Sequence, residues 1–457
     1  MLKTETYCDR IVENQVSGSK MLISSNPEGW DAVPLGEVAH LHKGVTYKSE
    51  DYCEKDNGVI FFNLKCVSKS GGFNSDGIKY YNGPVQKNDF IAPGDIVIAN
   101  TDLTRNGDIV GCPVEIPEYY KDKAVCISMD LTKIIPNELL NKKFFYYFLQ
   151  LPYCREFMKS HSNGSTVLHL DLKAVKNLLI FLPSLYEQHK IAAILSSVDA
   201  AIEQTDAIID VLKTIKVGIT KDLLYRGLDE CGHLRDPVTH PEQFMDSDLG
   251  IMPTGWNTSK VGDLGLWRGG STPSKSSPLN WSAGDILWIS PKDVLGDELI
   301  DSEDKITQEA LFNYKMKLFN AGDILVVFRS GILRHTFPIA ITKLPFTVNQ
   351  DIKVLSPKIG VHNRFAFFVL QALGPVVLRS AVKSGTTVES IDYKTFRDLV
   401  IFLPSEDEQK RIAKILDAYN ARITNEKTYL NKLKQLTHCL MQDLLTGRVR
   451  VKVDIHA

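Results

Sequence analysis

Apolar side chains recur along this chain at two different periods, and the switch between them happens twice in nearly the same words. Residues 178–195 read LLIFLPSLYEQHKIAAIL and residues 399–416 read LVIFLPSEDEQKRIAKIL. Each copy opens on an apolar run of strand length. Pro183 or Pro404 then ends the strand, because proline has no N–H to give a ladder. Ser184 and Glu187 have capping-box spacing, as do Ser405 and Glu408. That spacing predicts a helix start in which the glutamate reaches back to the serine N–H. Beyond it the apolar steps become threes, fours and sevens. They fall at Leu195, Val198, Ile202, Ile209, Leu212, Ile219 and Leu223, and again at Leu416, Tyr419, Ile423, Leu430, Leu433, Leu440 and Leu444. This is the seam of a coiled coil, interrupted at Thr205 and Glu426. Gly227 and Gly447 stand where C-caps end such helices. About 40 residues each make helices roughly 60 Å long. Neither can bury its stripe alone, so the expectation is an antiparallel pair with a globular domain at each end.

The text before each helix also repeats. VIFFNLKCV (59–67) and GDIVIAN (94–100) read as strands, and GDILWI (284–289) and AGDILVVF (321–328) answer them. Residues 137–160 turn helical, with Leu139, Leu140, Phe144, Tyr147 and Phe148 on one side. Gly255-Trp256 answers Gly29-Trp30, and SGTTVESIDYK (384–394) answers NGSTVLHLDLK (163–173). The offset is 221 residues at Phe144/Phe365 and at Pro183/Pro404, and 226 at Trp30/Trp256. The fold class expected is therefore α+β: two β-rich globular domains, two long helices, and an internal pseudo-two-fold repeat. The division is an N-terminal arm (1–28), a first domain (29–183), a long helix (184–228), a polar connector (229–252), a second domain (253–404), a second long helix (405–449) and a tail (450–457).

Composition narrows the chemistry. A chain of 457 residues is long for one core, and 44% hydrophobic with 24% charged residues is ordinary for a folded protein. No signal-peptide core and no bilayer-spanning run is visible. Eight scattered cysteines without a C-x-x-C pair point to reduced thiols in a cytoplasm and away from zinc. A net charge of −2 means that any nucleic-acid contact must use local positive charge.

The paired GW…GD openings, the paired SG(T/S)T segments and the paired IFLPSxxEQxxIAxIL helices resemble the specificity subunit of type I restriction–modification systems. The resemblance covers about Gly29 to Val449. It implies that each globular part is a target-recognition domain for one half of a split, asymmetric sequence in double-stranded DNA. It implies further that the helices are a spacer and docking site for two modification subunits. S-adenosylmethionine, ATP and Mg would then reside in those and in the restriction/translocase subunits, with no cofactor, metal or catalytic residue in this chain and no membrane partner. The residues agree: no P-loop and no metal-spaced histidines occur. Asp171-x-Lys173 and Asp392-x-Lys394 have the form of a nuclease D-x-K end, but they lack an acidic partner in context and read as loop. A protein-binding scaffold is the other alternative.

Base reading needs donors and acceptors at a groove edge, and phosphate positioning needs Lys, Arg and small polar groups. Loops of that content hold Lys43, Thr46, Tyr47 and Lys48; Lys65; Asn100, Thr104, Arg105 and Asn106; and Ser165 and Thr166. In the second half they hold Arg268, Ser271, Thr272, Ser274 and Lys275; Lys292; Arg329, Ser330, Arg334 and His335; and Thr386 and Thr387. The Arg105 and Arg334 loops differ between halves, as readers of different half-sites should.

Overall fold

The computed structural model describes residues 27–69, 71–104, 106–247, 250–383 and 388–451. Most of the expected arm, and the end of the tail, lie outside them. The chain forms two units, Met1–Asp206 with Thr428–Ala457, and Ala207–Lys427.

In the first unit the repeated apolar run is the strand Leu179–Leu182, paired antiparallel with Asp31–Pro34 so that Ala32 faces Phe181. A four-stranded sheet has the order Ala39–Lys43, Leu131–Pro136, Ile96–Ala99, Pro113–Glu115. A second, in the order Lys79–Tyr81, Val59–Phe62, Val125–Ile127, Phe90–Ile91, contains one parallel pairing, Val59–Phe62 with Val125–Ile127. One core lies between the first of these sheets, through Ile96, Ile98 and Ile134, and the helix Lys142–Leu149, whose Phe144, Phe145, Tyr147 and Phe148 are buried. Leu139, expected on that face, lies before the helix and is exposed.

The second unit repeats the plan. Val400–Leu403 pairs with Asn257–Lys260, and Thr258 faces Phe402. A five-stranded sheet runs Gly265–Gly269, Ile352–Pro357, Ile324–Val327, Ile339–Thr342, Glu298–Leu299. The parallel pairing recurs between Ile286–Ile289 and Phe346–Val348. The described residues of 229–252 form local pairings that a plain connector lacks. Leu228 bridges to Leu234, and Phe244–Ser247 forms a hairpin with Gly250–Pro253.

The long helices run Leu185–Tyr225 and Glu406–Leu444. Within each unit the start of one packs on the end of the other. Ile191 and Leu195 share a core with Leu444 in the first unit, and Ile412 and Leu416 share one with Leu223 in the second. The pairing is therefore antiparallel. The two interrupting positions are accommodated: Thr205 is buried and its hydroxyl donates to Ala201 O at 2.7 Å, while Glu426 pairs with Arg422. The strand expected at 59–67 is shorter, because after Val59–Phe62 the side chain of Asn63 accepts from the Lys65 N–H and starts a 3-10 turn.

Candidate nucleic-acid interface

One edge of each unit gathers four loops. In the first, Gly44 N–H donates to Leu131 O at 3.0 Å and Val45 N–H to Ile127 O at 2.8 Å. The approach at Gly44 is so close that a Cβ would lie 2.4 Å from the carbonyl oxygens of Ile127 and Ser128. Asn100 N–H donates to Asp130 O at 2.7 Å, and Leu170 N–H donates to Asn100 O at 2.8 Å. Segments 43–48, 100–104, 128–130 and 163–170 thus share one rim. Asp102 ties Thr104 to Ile109 and Val110 by accepting their N–H groups at 2.6, 2.5 and 2.9 Å. Burial pushes its carboxyl up, but those hydrogen bonds outweigh burial and keep it below the usual carboxylate range.

The second unit builds the same rim from other side chains. Phe328 and Arg329 donate their N–H groups to Asp351 O at 2.7 and 3.2 Å, and Ile391 N–H donates to Phe328 O at 2.8 Å. The Thr272 hydroxyl donates to Gln350 Oε1 at 2.7 Å, and Trp288 Nε1 donates to Ser271 O at 3.0 Å. An open depression of about 350 Å³ on this rim is lined by Pro291, Arg329, Ser330, Gly331, Gln350 and Asp351, with Val388.

Many of the residues singled out from sequence are exposed: Lys43, Thr46, Lys48, Lys65, Asn106, Ser165 and Thr166 in the first unit, and Arg268, Ser274, Lys275, Lys292, Arg329, Arg334 and His335 in the second. Thr104, Ser271, Thr272 and Ser330 are half-buried. Arg105, Thr386 and Thr387 lie outside the described residues. One expectation needs correction. Asn100 is buried, with its amide donating to Met129 O at 3.1 Å, so it braces the rim rather than reaching a base. Tyr47 is half-buried, with its ring packed on Tyr52 and Phe61 at 5.4 and 5.1 Å between centroids. Lys292 is tied to Glu303 and Asp304 at 2.9 and 3.2 Å. Sequence reasoning missed Gln350, Asp351, Asp130 and Glu389. Asp130 and Asp351 stand 221 residues apart, so the repeat offset could have found that pair.

The capping-box expectation is half right. Ser184 and Ser405 accept the N–H of Glu187 and Glu408 at 3.3 and 3.4 Å. The glutamates themselves face elsewhere. Glu187 takes Nε and Nη2 of Arg450, each at 2.8 Å. Glu408 takes Arg235, the Leu228 N–H and the Trp256 indole N–H, at 2.6, 2.7 and 3.0 Å. The adjacent glutamines act alike. Gln188 accepts from Asn141 N–H and Gln409 from His362 N–H, both at 2.8 Å, joining each long helix to the start of its domain helix. Asp171 and Asp392, the acids of the D-x-K tripeptides, are N-caps of short helices. Among the described residues no group of three His, Cys, Asp or Glu is placed to hold a metal ion, and no helix is long and apolar enough to cross a membrane.

This architecture, a β-rich unit built twice on long helices with unlike side chains on its two rims, defines a two-module recognition protein. The chain belongs to the type I restriction modification DNA specificity domain family, which it matches over residues 27–214 and again over 253–435. It is 41% identical over 174 residues to the Escherichia coli type I restriction enzyme EcoR124I/EcoR124II specificity subunit, a match spanning 38% of this chain and 42% of that one. It is 24% identical to the Methanocaldococcus jannaschii MjaVIII specificity subunit over 93% of this chain and 94% of that protein. The crystal structure of a type I restriction-modification system S subunit from M. genitalium has the same fold, with a TM-score of 0.56 at 15% identity, covering 95% of this chain and 99% of the other.

Proposed function

We propose that this chain is the DNA sequence-specificity subunit of a type I restriction–modification complex and that each unit reads one half of a split, asymmetric target. The recognition domains are residues 29–183 and 253–404. The long helices serve as spacer and as docking site for two modification subunits, in a cytoplasmic assembly completed by restriction/translocase subunits. S-adenosylmethionine, ATP and Mg act in those partners, and this chain contributes recognition without catalysis.

The observation that carries this reading is the duplicated rim. Its backbone hydrogen bonds repeat between units at Asp130/Asp351 and Leu170/Ile391, while the side chains presented differ. A conserved frame with unlike readers suits two different half-sites. The test is to exchange residues 254–398 for the matching segment of a relative and map methylated adenines in cells holding the partner subunits. The expected result is a new sequence in one half of the target only. Both halves changing together would defeat the modular reading.

A further inference from the structure

Two side chains on the rim of the second unit are arranged unequally. Arg334 ends the 3-10 turn Gly331–Arg334, which is anchored by buried Leu333 and started by the Ser330 hydroxyl accepting from Ile332 N–H. Glu389 lies on the neighbouring segment, whose backbone is fixed by Ser330 N–H donating to Glu389 O at 3.1 Å. Arg334 donates through Nε to Glu389 Oε1. The glutamate side chain is 10% exposed and the arginine 60%. Glu389 Oε2 is buried without a partner, and among the described residues nothing occupies the two Nη groups of Arg334.

An exposed arginine–carboxylate pair usually contributes little. Here the acid is buried and the guanidinium is not, so the acid fixes the direction of the arginine. With Nε held, the Nη edge of the rigid, planar fork is left facing solvent. That edge carries two parallel donors, which match the O6 and N7 acceptors of guanine in the major groove. The neighbours on the rim are Arg329, Ser330 and Gln350, groups suited to a DNA edge. The first unit has no such acid, because Leu168 stands at the equivalent place, 221 residues before Glu389.

We infer that Arg334 reads a guanine in the half-site of the second unit and that Glu389 is its positioning residue. The inference rests on the DNA-recognition reading above. The test uses the full chain assembled with its modification subunits. Methylation rates are measured on duplexes in which each base pair of both half-sites is changed in turn. Arg334→Ala should slow methylation of the cognate duplex about 5- to 150-fold, the factor that 1–3 kcal/mol of base discrimination represents. It should also abolish the preference for G·C at one position of the second half-site. Glu389→Gln should weaken the preference at that same position, Arg334→Lys should not restore it, and the first half-site should be read as before. Arg334→Gln is the second variant should alanine prevent assembly. An equal loss on every duplex, or no change at any position, would overturn the inference while wild-type specificity left the subunit's function standing. A wild-type complex that methylates no defined sequence would overturn both.

Discussion

Glu408 holds Arg235 on its carboxylate, with Nη1 to Oε1 at 2.6 Å and Nη2 to Oε2 at 3.2 Å, across 173 residues of sequence. Both side chains are largely buried, 6% and 14% exposed, and the same carboxylate takes Trp256 and the Leu228 N–H. Glu187 and Arg450 repeat the pair in the first unit, but there the arginine is 47% exposed. The glutamate at the start of one long helix thus fastens the segment that follows the other.

Removing one partner of a buried ion pair leaves the other charge uncompensated. Glu408→Ala is expected to destabilise the second unit by about 3–5 kcal/mol. Arg450→Ala should cost clearly less than Arg235→Ala, because Arg450 is 47% exposed and its removal opens the 2% exposed Glu187 to solvent, which can replace the lost partner. Denaturant titrations of the three single variants check the order. Equal losses for the two arginine variants would contradict it.

Gly227 has φ of 64°, and a Cβ there would meet Trp256 at 2.3 Å, Glu408 Oε1 at 2.4 Å and Arg235 Nη1 at 2.5 Å. Gly227→Ala therefore adds a collision with the ion pair to the strain of the left-handed backbone. Its cost should exceed the roughly 1 kcal/mol that such a backbone position carries for alanine. In an Arg235→Ala background the penalty should shrink, and calorimetry of the double-mutant cycle measures the difference.

The helices, the repeat and the strand-before-proline pairs were legible because periodicity and duplication are properties of the chain itself. The roles of Glu187 and Glu408 were not. Serine with glutamate three residues on marks a capping box, and here the serine does cap. Nothing local reveals that the glutamate answers an arginine 263 or 173 residues away. The rim suffered from the same blindness to distance. Asn100 has the chemistry of a DNA contact, yet its side chain turns inward. Glu389 and Gln350 were overlooked because acids and amides beside buried strands look like ordinary turn residues until folding sets them against Arg334 and Thr272.

Asp95 accepts from Lys133 Nζ at 2.6 Å, Ala92 N–H at 2.9 Å and Lys142 Nζ at 3.1 Å. Burial pushes its carboxyl up, and these three donors overcome burial and bring it below its ordinary value. Its folded pKa is thus under the unfolded one, near 3.9. The stabilisation is complete above that value and is lost as pH falls through the folded pKa. Asp95→Asn should lower stability at pH 7 by about 1–3 kcal/mol. The gap from wild type should close as pH falls below that ordinary value and through the lower folded one. Urea unfolding at stepped pH checks this, and a gap that widened in acid would reverse the assignment.

Arg329 and Arg334 stand five residues apart on one rim and should differ in what they recognise. Arg334 is oriented by a carboxylate, whereas Arg329 lines the open depression beside Gly331 and Gln350 and forms no ion pair within 4 Å among the described residues. A cation on a rim that no carboxylate orients suits a phosphate, where charge counts and direction does not. The chain carries a net charge of −2, so each local cation weighs heavily in its affinity for DNA. Arg329→Ala in the assembled complex should weaken binding by a similar factor on cognate and altered duplexes. It should also make the slope of log affinity against log salt shallower by about 0.9, the value of one released counterion. Fluorescence anisotropy at four or five salt concentrations measures both. Retention of the full slope, or a loss confined to one base pair, would assign Arg329 to base reading instead.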